Sequence, residues 1–150
     1  MQRVHVIQDF PQPVSELFAY LSEQENLEPL FGAKIKRLTD GTDGTRNGVG
    51  ASRELRVGPL PGFVETNTEV IPDELIRYRI TKGGVLKNHE GVMRFSSQGD
   101  GGSLLDYTIG FDGKVPGIGP IVAKGLKKSI SDALRKYAER GAPAKAGSAA

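Results

Sequence analysis

The sequence has 150 residues, a formal net charge of +2 and no cysteine. This length suits one domain with its own hydrophobic core, and the absence of cysteine excludes disulfides, a thiolate nucleophile and zinc–thiolate sites. The 20 basic and 18 acidic residues are scattered along the chain, which argues against a nucleic-acid partner. The N-terminus has no apolar signal core, and no segment approaches the roughly 18 apolar residues of a membrane span, so we expect a cytoplasmic protein without stable membrane insertion.

The first part of the chain predicts a strand, two short helices and a second strand. Residues 4–10 alternate loosely and are rich in β-branched side chains, which is typical of a strand. Pro13 suits the first turn of a helix, and the apolar residues after it recur at helical spacing. Those residues are Val14, Leu17, Phe18 and Leu21. Residues 25–30 predict a second short helix or turn, and residues 33–39 a strand.

The middle of the chain predicts further strands joined by short turns. Residues 40–50 are rich in Gly, Asp, Thr and Asn, which is typical of an exposed connection. The strand-like runs that follow are residues 51–57, 63–71, 75–81, 89–97 and 103–112. The segments between them are short and rich in turn residues, so no helix fits there and the strands should pair antiparallel.

The hydrophobic period changes at residues 116–137, which predict a long amphipathic helix. Its apolar residues recur at three and four positions, while its basic residues fall mainly on the other side. The apolar stripe is Ile118, Ile121, Val122, Leu126, Ile130, Ala133, Leu134 and Tyr137. Gly125 and Ser129 lie on or beside the stripe, and their small size would let a ligand or the sheet approach closely. Residues 141–150 are of low complexity, so we expect a domain over residues 1–140 and then a flexible tail.

Three local motifs, together with the order of the elements, resemble one known family. Residues 13–18 (PVSELF) are similar to the start of its first helix, and residues 48–53 (GVGASR) to its glycine-led third strand with an arginine. Residues 101–107 (GGSLLDY) resemble its last hairpin, with serine in place of the usual threonine and Tyr107 as the aromatic residue. The family is the START-like (SRPBCC) helix-grip superfamily, in its polyketide cyclase/dehydrase and lipid-transport branch. The resemblance implies an α+β helix-grip fold, with an antiparallel sheet of about seven strands wrapped around a long C-terminal helix and two short helices after strand 1.

Side chains alternate across a strand, so each predicted strand has one row that faces the interior. The apolar rows predict a cavity with an apolar wall and a few convergent polar groups, which is the usual form of a small-molecule site. The candidate ligand-binding residues are Arg53, Leu55, Glu65, Asn67, Tyr78, Ile80, His89, Met93, Tyr107, Ile109, Ile121 and Gly125.

The strand at residues 63–71 leaves its inward face open. Its apolar pattern alone favours the row with Val64 and Val70 as the interior one, whereas the resemblance favours Glu65. An inward Glu65 needs a partner, because burying an unpaired carboxylate is costly. Arg53 on the neighbouring strand is the candidate partner. The pair could anchor a polar ligand group, supply acid–base chemistry or simply order the sheet.

The first functional hypothesis is a protein that binds or carries a small hydrophobic molecule of lipid, aromatic or polyketide-like class. We expect no cofactor, and two histidines without cysteine argue against a metal site. The long helix and the segments at residues 58–62 and 82–87 would form the lid and the mouth. The protein would be a monomer or a homodimer.

The alternative hypothesis is a cyclase or dehydratase acting on a polyketide-like substrate. Arg53 would hold an enolate or carboxylate, Glu65 or His89 would move protons, and Tyr107 would orient a carbonyl. His89 has the competing interpretation of a hydrogen-bonded structural residue. A third possibility is a co-chaperone or toxin-like partner protein on the same fold, which an exposed apolar patch outside the cavity would favour.

Overall fold

The chain runs through one strand, a group of short helices, six further strands and one long helix. The computed structural model describes residues 1–142. The strands are β1 (Gln2–Phe10), β2 (Lys34–Thr39), β3 (Ser52–Arg56), β4 (Phe63–Ile71), β5 (Leu75–Gly83), β6 (Leu86–Ser97) and β7 (Ser103–Gly113). The helices are α1 (Val14–Ser22), α2 (Glu28–Phe31) and α3 (Ile118–Arg140), with a 3₁₀ turn at Gln24–Leu27 between α1 and α2.

All seven strands belong to one sheet, in the order β1-β7-β6-β5-β4-β3-β2. Every neighbouring pair is antiparallel. Strands β2 to β7 follow chain order because short connections join successive antiparallel strands. β1, the first strand of the chain, lies at the opposite edge from β2, beside β7, and the short helices connect it to β2. The predicted α+β fold, with an antiparallel sheet, two short helices after strand 1 and a long C-terminal helix, is confirmed.

The last strand shows most clearly how alternation builds the core. Ser103, Leu105, Tyr107, Ile109 and Phe111 are all buried, as the sequence pattern predicts. The residues between them face the other side of β7 and are half-buried. One face of the sheet is therefore covered, and the covering element is the long helix together with α1 and α2.

The C-terminal half of α3 is the part that anchors the helix. Ile130 and Leu134 are fully buried there, and the Tyr137 ring stacks on Tyr20 of α1 with ring centroids 4.3 Å apart. The N-terminal half differs from the prediction, because Ile121 lies on the apolar stripe but is 69% exposed. The start of α3 is packed, since Gly119 is buried beside Gln2 of β1 and Gly113 of β7. The turns from Ile121 to Leu126 stand off the sheet, and the stripe is buried again from Ile130 onward.

Two further expectations concern the ends of elements. Strand β6 begins at Leu86, earlier than the predicted residue 89, because Gly83 and Gly84 take left-handed backbone angles and complete the hairpin before it. The predicted tail at residues 141–150 lies outside the described residues except for its first two positions.

Within residues 1–142, no helix has both the length and the hydrophobicity needed to cross a bilayer.

The anchoring of α3 gives the first testable prediction. Leu134 is fully buried, so Leu134→Ala should lower the free energy of unfolding by about 2–5 kcal/mol through lost burial and the cavity it leaves. Leu38 on β2 is 45% exposed, so the matched change Leu38→Ala should cost no more than about 0.5 kcal/mol. Urea denaturation followed by circular dichroism measures both, and equal losses would contradict the packing described.

Candidate functional site

A cavity of about 350 Å³ lies between the covered face of the sheet and the N-terminal half of α3. It exists because the turns of α3 that carry Ile121, Gly125 and Ser129 stand off the sheet, while the start of the helix at Gly119 and the later turns are packed. The lining residues near its opening are exposed, among them Leu60 at 38% and Ile121 at 69%. Those deeper in the cavity, such as Leu55 and Ile109, are buried. The cavity therefore has a mouth between the β3–β4 loop and α3, and its floor lies on the sheet.

Eight of the twelve predicted ligand-binding residues line this cavity. They are Leu55, Glu65, Tyr78, Ile80, His89, Ile109, Ile121 and Gly125. The other four are buried behind the wall rather than in it, and they are Arg53, Asn67, Met93 and Tyr107. The sequence-based candidates thus lie in one region of the fold. The sequence pattern did not distinguish the residues that line the cavity from those buried behind them.

Strand β4 turns its polar row inward, against the expectation from its apolar pattern. Glu65 and Asn67 are 4% and 3% exposed, while Val64 and Val70 are only half-buried. The register explains this choice, since Arg53 of β3 lies directly opposite Glu65 and supplies the counter-charge. The inward row ends after Asn67, where the pairing with β5 shifts and Glu69 becomes exposed.

Arg53 is the centre of a buried polar network. Its Nε and Nη2 donate to the same oxygen, Glu65 Oε1, over 3.2 and 3.1 Å. Its Nη1 donates to Asn67 Oδ1 over 3.0 Å, and its guanidinium lies over the Tyr78 ring, 5.0 Å from the centroid. Asn67 in turn donates to the backbone oxygen of Asn47 over 3.1 Å. The guanidinium nitrogens of Arg53 therefore donate to protein groups behind the cavity wall, and Arg53 does not line the cavity.

His89 is fixed by a hydrogen bond that replaces part of the sheet. The pairing of β5 with β6 stops at Tyr78 and Gly91, so the backbone N–H of Ile80, the next one on β5 that points toward β6, has no backbone partner on that strand. His89 Nδ1 accepts from this N–H over 2.9 Å. Because Nδ1 is the acceptor, the neutral imidazole carries its proton on Nε2. This Nε2 lies 3.7 Å from Glu65 Oε2, the carboxylate oxygen that Arg53 does not contact.

Burial shifts the pKa of both groups. Desolvation raises the pKa of Glu65, and the positive charge and hydrogen bonds of Arg53 act against that rise. Desolvation, with a smaller contribution from Arg53, lowers the pKa of His89 from 6.5 to about 4. His89 is therefore neutral near pH 7. It offers the cavity a donor, Nε2–H, while Glu65 offers an acceptor, Oε2.

Tyr78 and Tyr107 form a hydroxyl–hydroxyl hydrogen bond beneath the cavity floor. Gly91 lies opposite Tyr78 on β6, and a Cβ at this position would overlap the Tyr78 ring. Burial raises the pKa of both phenols, so both remain neutral. Tyr107 lies in the layer below the wall, and its hydroxyl is directed to Tyr78.

Several wall residues were not among the predicted candidates. Val122 and Leu126 lie on the apolar stripe of α3, next to the predicted Ile121 and Gly125, and periodicity could have identified them. Phe31 carries no such signal, because its position depends on the docking of α2 against α3. A hydrogen bond from Ser129 Oγ to the backbone oxygen of Pro29, 3.2 Å long, joins those two helices.

Within residues 1–142, no three His, Asp or Glu side chains are grouped so as to hold a metal ion.

Residues 1–141 match the protein family described as polyketide cyclase / dehydrase and lipid transport. The chain belongs to this family. The family resemblance expected from the sequence is thereby confirmed. A search of curated protein sequences finds no significant match.

Solved structures share the fold of this family member at low sequence identity. A START superfamily protein from Mycobacterium smegmatis superposes with a TM-score of 0.74 at 18% identity, covering 92% of this chain and 97% of the other. Norcoclaurine synthase from Thalictrum flavum, in complex with dopamine and hydroxybenzaldehyde, has a TM-score of 0.68 at 16% identity, covering 95% and 88%. The Aha1 dimer from Colwellia psychrerythraea has a TM-score of 0.67 at 11% identity, covering 95% and 100%. These likenesses establish the fold.

The Tyr78–Gly91 contact gives a second prediction. Gly91→Ala should displace the Tyr78 ring and lower the free energy of unfolding by about 1–3 kcal/mol, because the core there has no room for a methyl group. The near-ultraviolet circular dichroism of the tyrosines should change with it. Gly99→Ala is the matched control, since a Cβ at Gly99 meets no atom within 4 Å. A neutral effect at both positions would refute the close contact.

The His89 environment gives a third prediction. In an NMR titration the His89 ring should show a pKa of about 4, with its Nδ1 unprotonated at neutral pH. The chain has two histidines, so a His5→Gln variant assigns the signals. Because the folded state holds His89 neutral, its contribution to stability is present above pH 6.5 and is lost as the pH falls toward 4. A His89 pKa at or above 6.5 would contradict the buried, N–H-accepting ring.

Proposed function

We propose that this protein binds or carries a small, largely apolar molecule in the cavity under α3. The observation that supports this most strongly is the composition of the wall. Apart from Glu65, His89, Ser129 and the Tyr78 ring, the described lining side chains are aliphatic, proline or phenylalanine, with glycines between them. An apolar wall with a few polar groups at one end is the usual form of a ligand site. Burial of apolar ligand surface would supply the affinity, at about 25 cal/mol per Å² before ordering costs.

The size of the cavity limits the ligand. Its volume of about 350 Å³ lies at the low end of the range for ligand pockets. At about 30 Å³ per water-sized unit, this is room for roughly a dozen non-hydrogen atoms. A single short alkyl chain or a one- or two-ring aromatic compound fits entirely inside, while a longer ligand or a three-ring compound such as 1-aminoanthracene would extend through the mouth past Leu60 and Ile121.

One arrangement favours the second candidate function, a cyclase or dehydratase. Glu65 Oε2 and His89 Nε2 face the same cavity, so a substrate could meet both. The roles within such an enzyme would differ from the sequence hypothesis. Arg53 is turned to Glu65 and Asn67 and would position the carboxylate instead of holding an enolate. Glu65 would be the proton-transfer group, with His89 as a hydrogen-bond donor.

The remaining expectations stay predictions. The cytoplasmic location, the choice between monomer and homodimer, and the lack of a cofactor rest on the sequence alone. The co-chaperone possibility is the weaker one here. Among the large apolar residues exposed in residues 1–142, Leu60 and Ile121 lie at the cavity mouth, where a ligand site accounts for them. The others are Met1, Ile7, Leu38, Val49, Ile71 and Val115, and they lie outside the cavity.

The cavity can be tested by filling it from α3. Gly125 lines the cavity, and a Cβ there meets no atom within 4 Å, so Gly125→Phe should fold normally while its ring occupies the mouth. We expect binding of the neutral fluorescent probe 1-aminoanthracene to fall at least tenfold, a change of about 1.4 kcal/mol. Gly125→Ala is the control and should bind as the wild type does. Unchanged binding in the phenylalanine variant would place the probe elsewhere and count against the proposal.

The ligand itself can be sought by native mass spectrometry of protein purified from its own host. A co-purifying small apolar molecule, lost in Gly125→Phe and retained in Gly125→Ala, would identify the ligand class.

A further inference from the structure

The floor of the cavity combines one free hydrogen-bond acceptor with one free donor. We define the polar floor as Glu65 and His89. Glu65 Oε1 is occupied by two N–H groups of Arg53, which leaves Oε2 to the cavity side. His89 Nδ1 is occupied by the Ile80 N–H, which leaves Nε2–H. The 3.7 Å between Oε2 and Nε2 is too long for a good hydrogen bond between them.

The charges around the polar floor are balanced before any ligand enters. Arg53 and Glu65 form a buried pair, with side chains 2% and 5% exposed. No lysine or arginine occurs among the described residues that line the cavity. An anionic ligand group would therefore meet a carboxylate and find no cation of its own. A cationic group would find a carboxylate whose charge Arg53 already balances, so it would bury an uncompensated positive charge.

We infer that the ligand is an uncharged apolar molecule whose buried end carries a hydroxyl or an amide, and that the site discriminates against anions of the fatty-acid type. This inference rests on the proposed function. A hydroxyl both donates and accepts, so one such group can donate to Glu65 Oε2 and accept from His89 Nε2–H. An amide meets the same pair with its N–H and its carbonyl. An ether can only accept, and it leaves the buried carboxylate oxygen without a partner, which is costly.

The experiment compares four ligands of similar length on the wild-type protein at pH 8. The ligands are 1-decanol, 1-methoxynonane, decanoate and decylammonium, each titrated against bound 1-aminoanthracene. We expect 1-decanol to displace the probe with a dissociation constant at least about tenfold lower than the ether and both ions. The ether tests whether the ligand must donate a hydrogen bond to Glu65. The two ions test whether the Arg53–Glu65 pair leaves no charge for a ligand to balance.

Two outcomes separate this inference from the proposed function. If the probe binds but decanoate, decylammonium or the ether equals 1-decanol, the ligand class is wrong and the binding function stands. If neither the probe nor any of the four ligands binds, the proposed function fails and the ligand class fails with it.

A substitution at the polar floor provides a second, independent readout. Glu65→Gln removes the negative charge and leaves the Arg53 guanidinium uncompensated, so the affinity for decanoate should rise at least about tenfold relative to 1-decanol. Glu69→Gln is the matched control on the same strand, because Glu69 is exposed and does not line the cavity; it should keep the wild-type ranking. A Glu65→Gln protein that folds, by circular dichroism, and keeps the wild-type ranking would overturn the role of the charge. The wild-type ranking tests the inference whether or not this variant folds.

Discussion

The buried ion pair between Arg53 and Glu65 is the constraint on which the site depends. A carboxylate can lie 4% exposed only if a cation and hydrogen bonds compensate it, and Arg53, directly opposite on β3, supplies both. A slip of one residue in this pairing would turn Glu65 to solvent and leave the guanidinium unpaired. Buried pairs often add little net stability compared with apolar residues, but breaking one is expensive. The pair therefore specifies the β3–β4 register and the inward face of β4 more than it stabilises the fold.

The positions of the side chains around Glu65 follow from that register. With Glu65 inward, Asn67 is also inward, and its Oδ1 accepts a hydrogen bond from Arg53 Nη1. The Tyr78 ring then lies under the guanidinium. The ring of Tyr78 needs the empty space at Gly91 to reach the Tyr107 hydroxyl. The pairing of β5 with β6 stops at that same glycine, and His89 accepts the backbone N–H that the strand leaves free. One local feature of the sheet thus provides both the room for a tyrosine and the fixed tautomer of a histidine.

Hydrophobic periodicity predicted the fold, but it gave the wrong inward face where pairing with a distant strand determines which side chains are buried. The strands, the turn residues between them and the helix at residues 116–137 are local signals, and the inward row of β7 follows from alternation alone. The inward face of β4 does not, because Val64 makes the wrong row look apolar and the compensating residue lies on another strand. The exposure of Ile121 could not be predicted either, since an amphipathic stripe predicts burial but does not show which part of the helix packs against the sheet. The acceptor role of His89 depends on where a strand pairing ends, for which the sequence has no local signal.

The same features that make the floor suitable for binding weaken it as a general acid–base site. A general base works best when its pKa lies near the operating pH. Burial moves the pKa of His89 away from neutrality, to about 4, and the Ile80 N–H occupies the nitrogen that would accept a proton. The phenol pKa values of Tyr78 and Tyr107 also move away from neutrality. Of these four groups, Glu65 is the one whose pKa burial moves toward neutrality, and Arg53 opposes that rise. A neutral donor, a paired carboxylate and an apolar wall recognise an uncharged polar end without requiring any proton to move, which is why binding is the function that this geometry favours.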